Sequence, residues 1–163
     1  MTLSGYPSVK SLAACLSIAA MAFLPGCEKF ALDRQMDDLC KKDGGVKVYE
    51  TVTLPAAMFD TLGDPFPGWP KRTIEDRFGP SYRFVVETRF LKNGDPQKGE
   101  GRLARTSKRI YRRADGMLLG ESITYGRSGG DFIAFSHPSS NSCPVYPNES
   151  DTVIRSVFLK RTE

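Results

Sequence analysis

The chain is poor in the residues that most site chemistry needs. Its 163 residues include one histidine, His137, and one tryptophan, Trp69. A single His, with no Cys-x-x-Cys pair and no acidic cluster of ligand spacing, leaves no first shell for a metal. His137 lies among Ser136, Pro138, Ser139 and Ser140, but there is no Gly-x-Ser-x-Gly turn, so a surface loop explains it better than a nucleophile and base. Gly44-Gly45 and Gly129-Gly130 lack both the Gly-Lys-Ser/Thr ending and the Gly-x-Gly-x-x-Gly spacing of phosphate loops, and they read as caps or turns. The adjacent acids Asp37-Asp38 point in different directions on a helix, which suits a solvated face and not an acid/base couple. No enzyme, cofactor or metal is expected.

Strong charge of one sign is also missing. There are 23 Lys+Arg against 19 Asp+Glu, a net +4, which argues only weakly for an anionic partner. A long hydrophobic run is missing too. Ser11 to Leu24 is uncharged, but about 14 residues make a helix of roughly 21 Å, short of a hydrocarbon core of roughly 30 Å. Pro25-Gly26 then breaks the run. What is present is ordinary for a globular domain: 40% hydrophobic and 26% charged residues, with enough length for one real core.

The apolar run reads LAACLSIAAMAFLPGC from Leu12 and closes on Leu24-Pro25-Gly26-Cys27. It resembles the signal peptide of bacterial lipoproteins, in which a Leu-x-Gly/Ala-Cys box is cut just before the cysteine. The resemblance covers residues 1–27 and implies that 1–26 are removed. Cys27 then carries the lipid (palmitate), and the chain is exported and anchored to a bacterial membrane. Glu28 follows the cysteine where Asp would favour retention at the inner membrane, which implies the outer membrane, facing the periplasm. An uncleaved N-terminal helix or anchor is the alternative. The remainder, 27–163, is read as a single domain, similar only to small envelope lipoproteins of unassigned role. In such a setting Cys15 leaves with the leader and Cys27 is lipidated. The oxidising compartment then makes a Cys40–Cys143 disulfide the expectation, with two free thiols as the alternative.

From Glu28 to Asp43 apolar residues recur at helical steps through Phe30, Leu32, Met36, Leu39 and Cys40, and Gly44-Gly45 ends the run. Val46 to Leu54 alternates as a strand. A proline-rich loop, 55–80, follows, with a short helical turn at Ala56–Leu62. Tyr82 to Leu91 predicts a strand with Tyr82, Phe84, Val86, Thr88 and Phe90 on its apolar face. Leu103 to Arg113 and Met117 to Gly126 flank the hairpin turn Ala114-Asp115-Gly116. Asp131 to Phe135 predicts a short strand or turn, and Thr152 to Lys160 a final strand, apolar on both faces. The fold class is therefore α+β, an N-terminal helix packed on an antiparallel sheet or meander of about five strands.

The strongest binding candidate is the basic hairpin: Arg102, Arg105, Lys108, Arg109, Tyr111, Arg112 and Arg113, with Arg127 on the paired strand. Charge on both faces implies an exposed ribbon. Protection of a sheet edge against unwanted pairing explains that without a ligand. The functional reading is contact with an envelope protein or an anionic envelope polymer, nucleic acid being disfavoured by an exported address. Trp69 beside Phe66 is either a protruding contact or a lid on the core. The expected role is thus a membrane-anchored, non-enzymatic contact protein. The alternative is a small-molecule or lipid-binding module with a pocket under the 55–80 loop.

Overall fold

The computed structural model describes residues 27–67, 73–131, 137–145 and 152–162. The leader, Trp69 and most of the predicted segment Asp131–Phe135 lie outside the described residues. The chain runs α1 (Cys27–Asp43), β1 (Gly45–Val48), β2 (Val52–Leu54), a 3-10 turn (Ala56–Met58) and β3 (Tyr82–Asn93). After a second 3-10 turn (Pro96–Lys98) come β4 (Arg102–Arg112), β5 (Leu118–Ser128), β6 (Ser140–Cys143), α2 (Thr152–Val157) and β7 (Phe158–Lys160). The main sheet is antiparallel in the order β1-β5-β4-β3, and β6 also pairs with β5. β1 takes Gly120–Ile123 on the outer edge of β5 and β6 takes Tyr125–Ser128, so two short strands share that edge end to end. The predicted α+β class, with a main helix and a five-stranded antiparallel sheet, is the observed one.

α1 forms because Leu32, Met36 and Cys40 recur every four residues and stack on one face. Glu28 in its first turn and Lys41 and Lys42 in its last suit the helix dipole. All three apolar side chains are buried against Leu103, Ile123 and Tyr125 of the sheet. Phe30, counted with that stripe in the sequence, is 71% exposed. It falls half a turn away from Leu32, and the stripe is too narrow to include it. Cys40 and Cys143 form a disulfide, with Cα atoms 6.0 Å apart, that staples the helix to β6 across 103 positions of chain.

The opposite face of the sheet holds a second core. Phe84, Ile110 and Leu119 pack there against Val153, Ile154 and Val157 of α2, with Phe78 and Phe158. Gly120 lies under α2, where an added Cβ would stand 2.6 Å from Val157 Cγ2. The register explains the two faces: Ser107 opposes Ile123 and Arg105 opposes Tyr125 on the α1 side, while Phe84 opposes Ile110 and Ile110 opposes Gly120 on the other. A bulge in β5 sets Tyr111 against Leu118 and passes over Leu119.

Two elements depart from expectation. The segment Thr152–Lys160 is not one strand; it is the helix Thr152–Val157 followed by a strand of three residues. Val153, Ile154 and Val157 occupy one face of a helix at i, i+1 and i+4, and a short run apolar on both sides fits either period. Burial against the sheet outweighs the β-propensity of four β-branched residues. Val46–Leu54 is also two strands. The N–H groups of Tyr49 and Glu50 both donate to Leu119 O, at 2.8 and 3.1 Å, so the β5 bulge ends the pairing of β1. β2 then leaves the main sheet and pairs in parallel with β7.

The described part of the 55–80 loop folds back on the second core. Phe66 packs at 5.4 Å from Phe158 and 5.7 Å from Phe78, and Tyr82 lies 5.0 Å from Phe158, mostly edge to face. The covalent staple generates the first prediction. Replacing Cys40 and Cys143 together with Ala should lower the unfolding free energy by about 3–5 kcal/mol, from closure of a long loop. Urea unfolding with and without reductant checks this; equal midpoints would refute it.

Candidate functional site

β4 and β5 position the basic hairpin, and the strand alternation sends its cations to both faces. On the α1 face, Arg105 Nη2 donates to Asp43 Oδ2 at 3.1 Å, and the Tyr125 hydroxyl donates to Asp43 Oδ1 at 2.6 Å. Arg109 sits between Glu87 at 3.3 Å and Glu121 at 3.6 Å. The Tyr111 ring lies 5.0 Å from the Arg83 guanidinium. On the other face, Arg102 donates from Nε to Gly94 O at 3.1 Å and stacks 5.5 Å from the Phe90 ring. Lys108 is half-buried and lines a small hollow with Ala104, Thr106, Thr124, Gly126 and Ser142.

At the far end of the hairpin, Arg112 donates to Glu50 and to both carboxylate oxygens of Asp115. Arg113 pairs with Asp76 and donates from Nε to Tyr82 O at 3.0 Å. These two arginines, with Pro80, Ser81, Tyr82 and Ala114, line an open cleft of about 500 Å³.

The exposed ribbon or edge expected of the basic strand is not found, because β4 lies inside the sheet between β5 and β3 with every residue of Arg102–Arg112 buried or half-buried. Arg127 departs furthest from the expected surface. It is only 3% exposed and belongs to the α1 interface. Its Nε donates to Asp33 Oδ1 at 2.9 Å, and its Nη1 donates to Ser139 Oγ, Ser139 O and Gly129 O at 2.7, 2.9 and 3.1 Å. The network extends through Ser139 Oγ to Asp131 at 2.7 Å, and Lys29 joins Asp131 at 3.1 Å. Arg127 reaches inward because it shares the α1 face with Tyr125 and Ile123, a placement that strand parity alone could have indicated.

The hairpin is therefore compensated by the protein's own acids. Two of these acids lie within the hairpin itself, Asp115 at the spacing of a tight turn and Glu121 on the paired strand. Asp33, Asp43, Glu50, Asp76 and Glu87 come from distant elements, and no local pattern announces them. Among the described residues no three His, Cys, Asp or Glu side chains come together as a metal site, and no helix is long and apolar enough to cross a membrane. No family model, curated protein or solved structure matches the chain.

Several carboxyls are held below their usual range. For Asp131 the chief cause is hydrogen bonding from the Ser139 hydroxyl and backbone N–H, joined by Lys29, which brings it down to about 2. Asp33 is pushed up by burial, but hydrogen bonds from Arg127 and Asn141 and the Arg127 charge more than offset this. Hydrogen bonds from Tyr125 to Asp43 and from Lys92 to Glu28 lower those carboxyls.

Two predictions follow from these contacts. A lowered folded-state pKa contributes stability above the unfolded value and loses it as pH falls through the folded one. Urea midpoints should hold steady down to about pH 4 and then fall toward pH 2, with the Asp131→Asn variant falling less steeply between pH 4 and about 2. An unchanged slope in that variant would refute the assignment. Arg127→Ala should cost about 3–5 kcal/mol because it strands Asp33 and buried carbonyls, whereas Arg109→Ala on the half-exposed face should cost about 1 kcal/mol or less. Equal losses by urea unfolding would overturn the distinction.

Proposed function

We propose that the protein is a lipid-anchored, non-enzymatic envelope protein. It is held at Cys27 and acts by contact with a protein or anionic envelope polymer through its basic hairpin. What supports the reading is the absence of slack between the acylation box and the folded domain. At Cys27 the chain is already helical, within α1. Its first turn is already tied to the sheet, since Gly101 N–H donates to Glu28, Lys29 N–H donates to Gly130 O, and Lys29 Nζ pairs with Asp131.

That attachment orients the hairpin. The Arg102 end of β4 lies beside the start of α1, with Lys29, Lys92 and Lys98 nearby. β4 then runs for 11 residues, about 35 Å, before Arg112. Charge at a membrane surface is screened within about 8 Å at physiological ionic strength, so the near end meets headgroups and the far end does not. The Arg112–Arg113 cleft thus faces the compartment, and it is the part of the hairpin that a polymer or protein would meet. Its acids, Glu50, Asp76 and Asp115, hold the guanidinium planes in place and would leave their outer faces to accept an anionic group.

Replacing Cys27 with Ser should move the full chain from the membrane fraction to the soluble fraction; continued membrane association would refute the anchor. With polyphosphate as a probe, Arg112→Gln/Arg113→Gln should weaken binding about tenfold, while Arg105→Gln leaves it nearly unchanged. Equal effects would remove the cleft from the reading.

A further inference from the structure

β3 is an edge of the main sheet, with β4 on one side. On its other side Phe84 N–H donates to Glu75 O at 3.0 Å, and among the described residues no strand pairs with the edge beyond it. That bond fixes the phase of the strand. If Phe84 N–H points away from β4, alternation turns the N–H and C=O of Val86, Thr88 and Phe90 outward as well. A bulge between Phe90 and Lys92 ends the run. Along it Val86 and Phe90 are 41% and 49% exposed, and the Glu87 side chain is 62% exposed. An edge with these apolar side chains is a template for another strand.

We propose that this edge pairs with the same edge of a second copy of the chain, antiparallel, about a two-fold axis through Thr88. The strand's own residues select that register. Outward-facing groups must meet outward-facing groups, so the axis has to fall on a residue. An axis at Glu87 would oppose Glu87 to itself, and one at Arg89 would oppose two guanidinium groups. An axis at Val86 would set Arg83 against Arg89. Centred on Thr88, Glu87 of each copy opposes Arg89 of the other, and Val86 of each opposes Phe90 of the other. The charges and the apolar pairs are satisfied twice by one symmetry operation. The outward backbone groups of Val86, Thr88 and Phe90 also find partners in pairs. The bulge at one end and the Phe84–Glu75 bond at the other bound the pairing, and each copy's edge is consumed, so the assembly closes as a dimer.

Sedimentation of the full chain over a concentration series should show a reversible dimer. Glu87→Arg or Arg89→Glu alone should weaken it about tenfold, because two opposite-charge pairs become two like-charge pairs. The exchange Glu87→Arg/Arg89→Glu should bring affinity back to the wild-type range; circular dichroism of each variant verifies that it is folded. In a background lacking Cys15 and Cys27, oxidation of Thr88→Cys should give cross-linked dimer. Val86→Cys should give far less, since its counterpart lies about 13 Å along the paired strand. A wild-type chain that stays monomeric, a charge exchange that fails to restore pairing, or equal cross-linking at both positions would each overturn the proposal.

Discussion

α1 offers the sheet a narrow stripe, Leu32, Met36 and Cys40, and the hold of the helix on the domain depends on what reinforces that stripe. At one end the reinforcement is covalent, through Cys143 on β6. At the other it is polar, where Lys29 and Glu28 reach Asp131, Gly101 and Lys92. Between them the buried Arg127 pairs with the partly exposed Asp33, and losing the acid would strand the guanidinium charge inside the fold. β6 is itself a four-residue strand on the edge of β5, so the disulfide fixes the strand as well as the helix.

The two cores divide the sheet lengthwise. α1 covers the face of Leu103, Ile123 and Tyr125, and α2 with Phe78 and Phe158 covers the opposite face around Phe84, Ile110 and Leu119. α2 is only six residues long, so it covers one end of its face. Phe84 is buried where Phe78 of the 55–80 loop lies against its ring at 5.4 Å, while Val86 and Phe90, on the same side of β3, are exposed. The same arrangement leaves Thr106, Thr124 and Gly126 half-buried on a sheet face that no described element covers.

The charge of the hairpin has two consequences. Most of its guanidinium groups serve the fold, fastened to acids of other elements, and each such surface pair contributes little to stability alone. Their collective effect is to set side-chain direction, because a guanidinium fixed on one edge presents a defined plane on the other. If Cys27 carries a lipid, the domain stands on the start of α1 and the hairpin projects away from the bilayer.

The sequence by itself determined the local elements and the covalent staple. The four-residue spacing of Leu32, Met36 and Cys40 makes a helix whatever follows it, the alternation in Tyr82–Leu91 and Leu103–Arg113 makes strands, and Asp115-Gly116 makes the turn between two of them. The pairing of Cys40 with Cys143 was an expectation drawn from the resemblance of residues 1–27 to a lipoprotein leader, which would take Cys15 and Cys27 out of the count, and the disulfide is the one observed. Only the tertiary structure decided that Thr152–Val157 is a helix, since a short two-sided apolar run satisfies both periods until a surface such as Gly120 is there to receive it. The break after Val48 depended on a bulge at Leu119, far along the chain. The state of each arginine depended on acids that no spacing rule connects to it, because ion pairs form across strands and helices whose register is set only when the sheet closes.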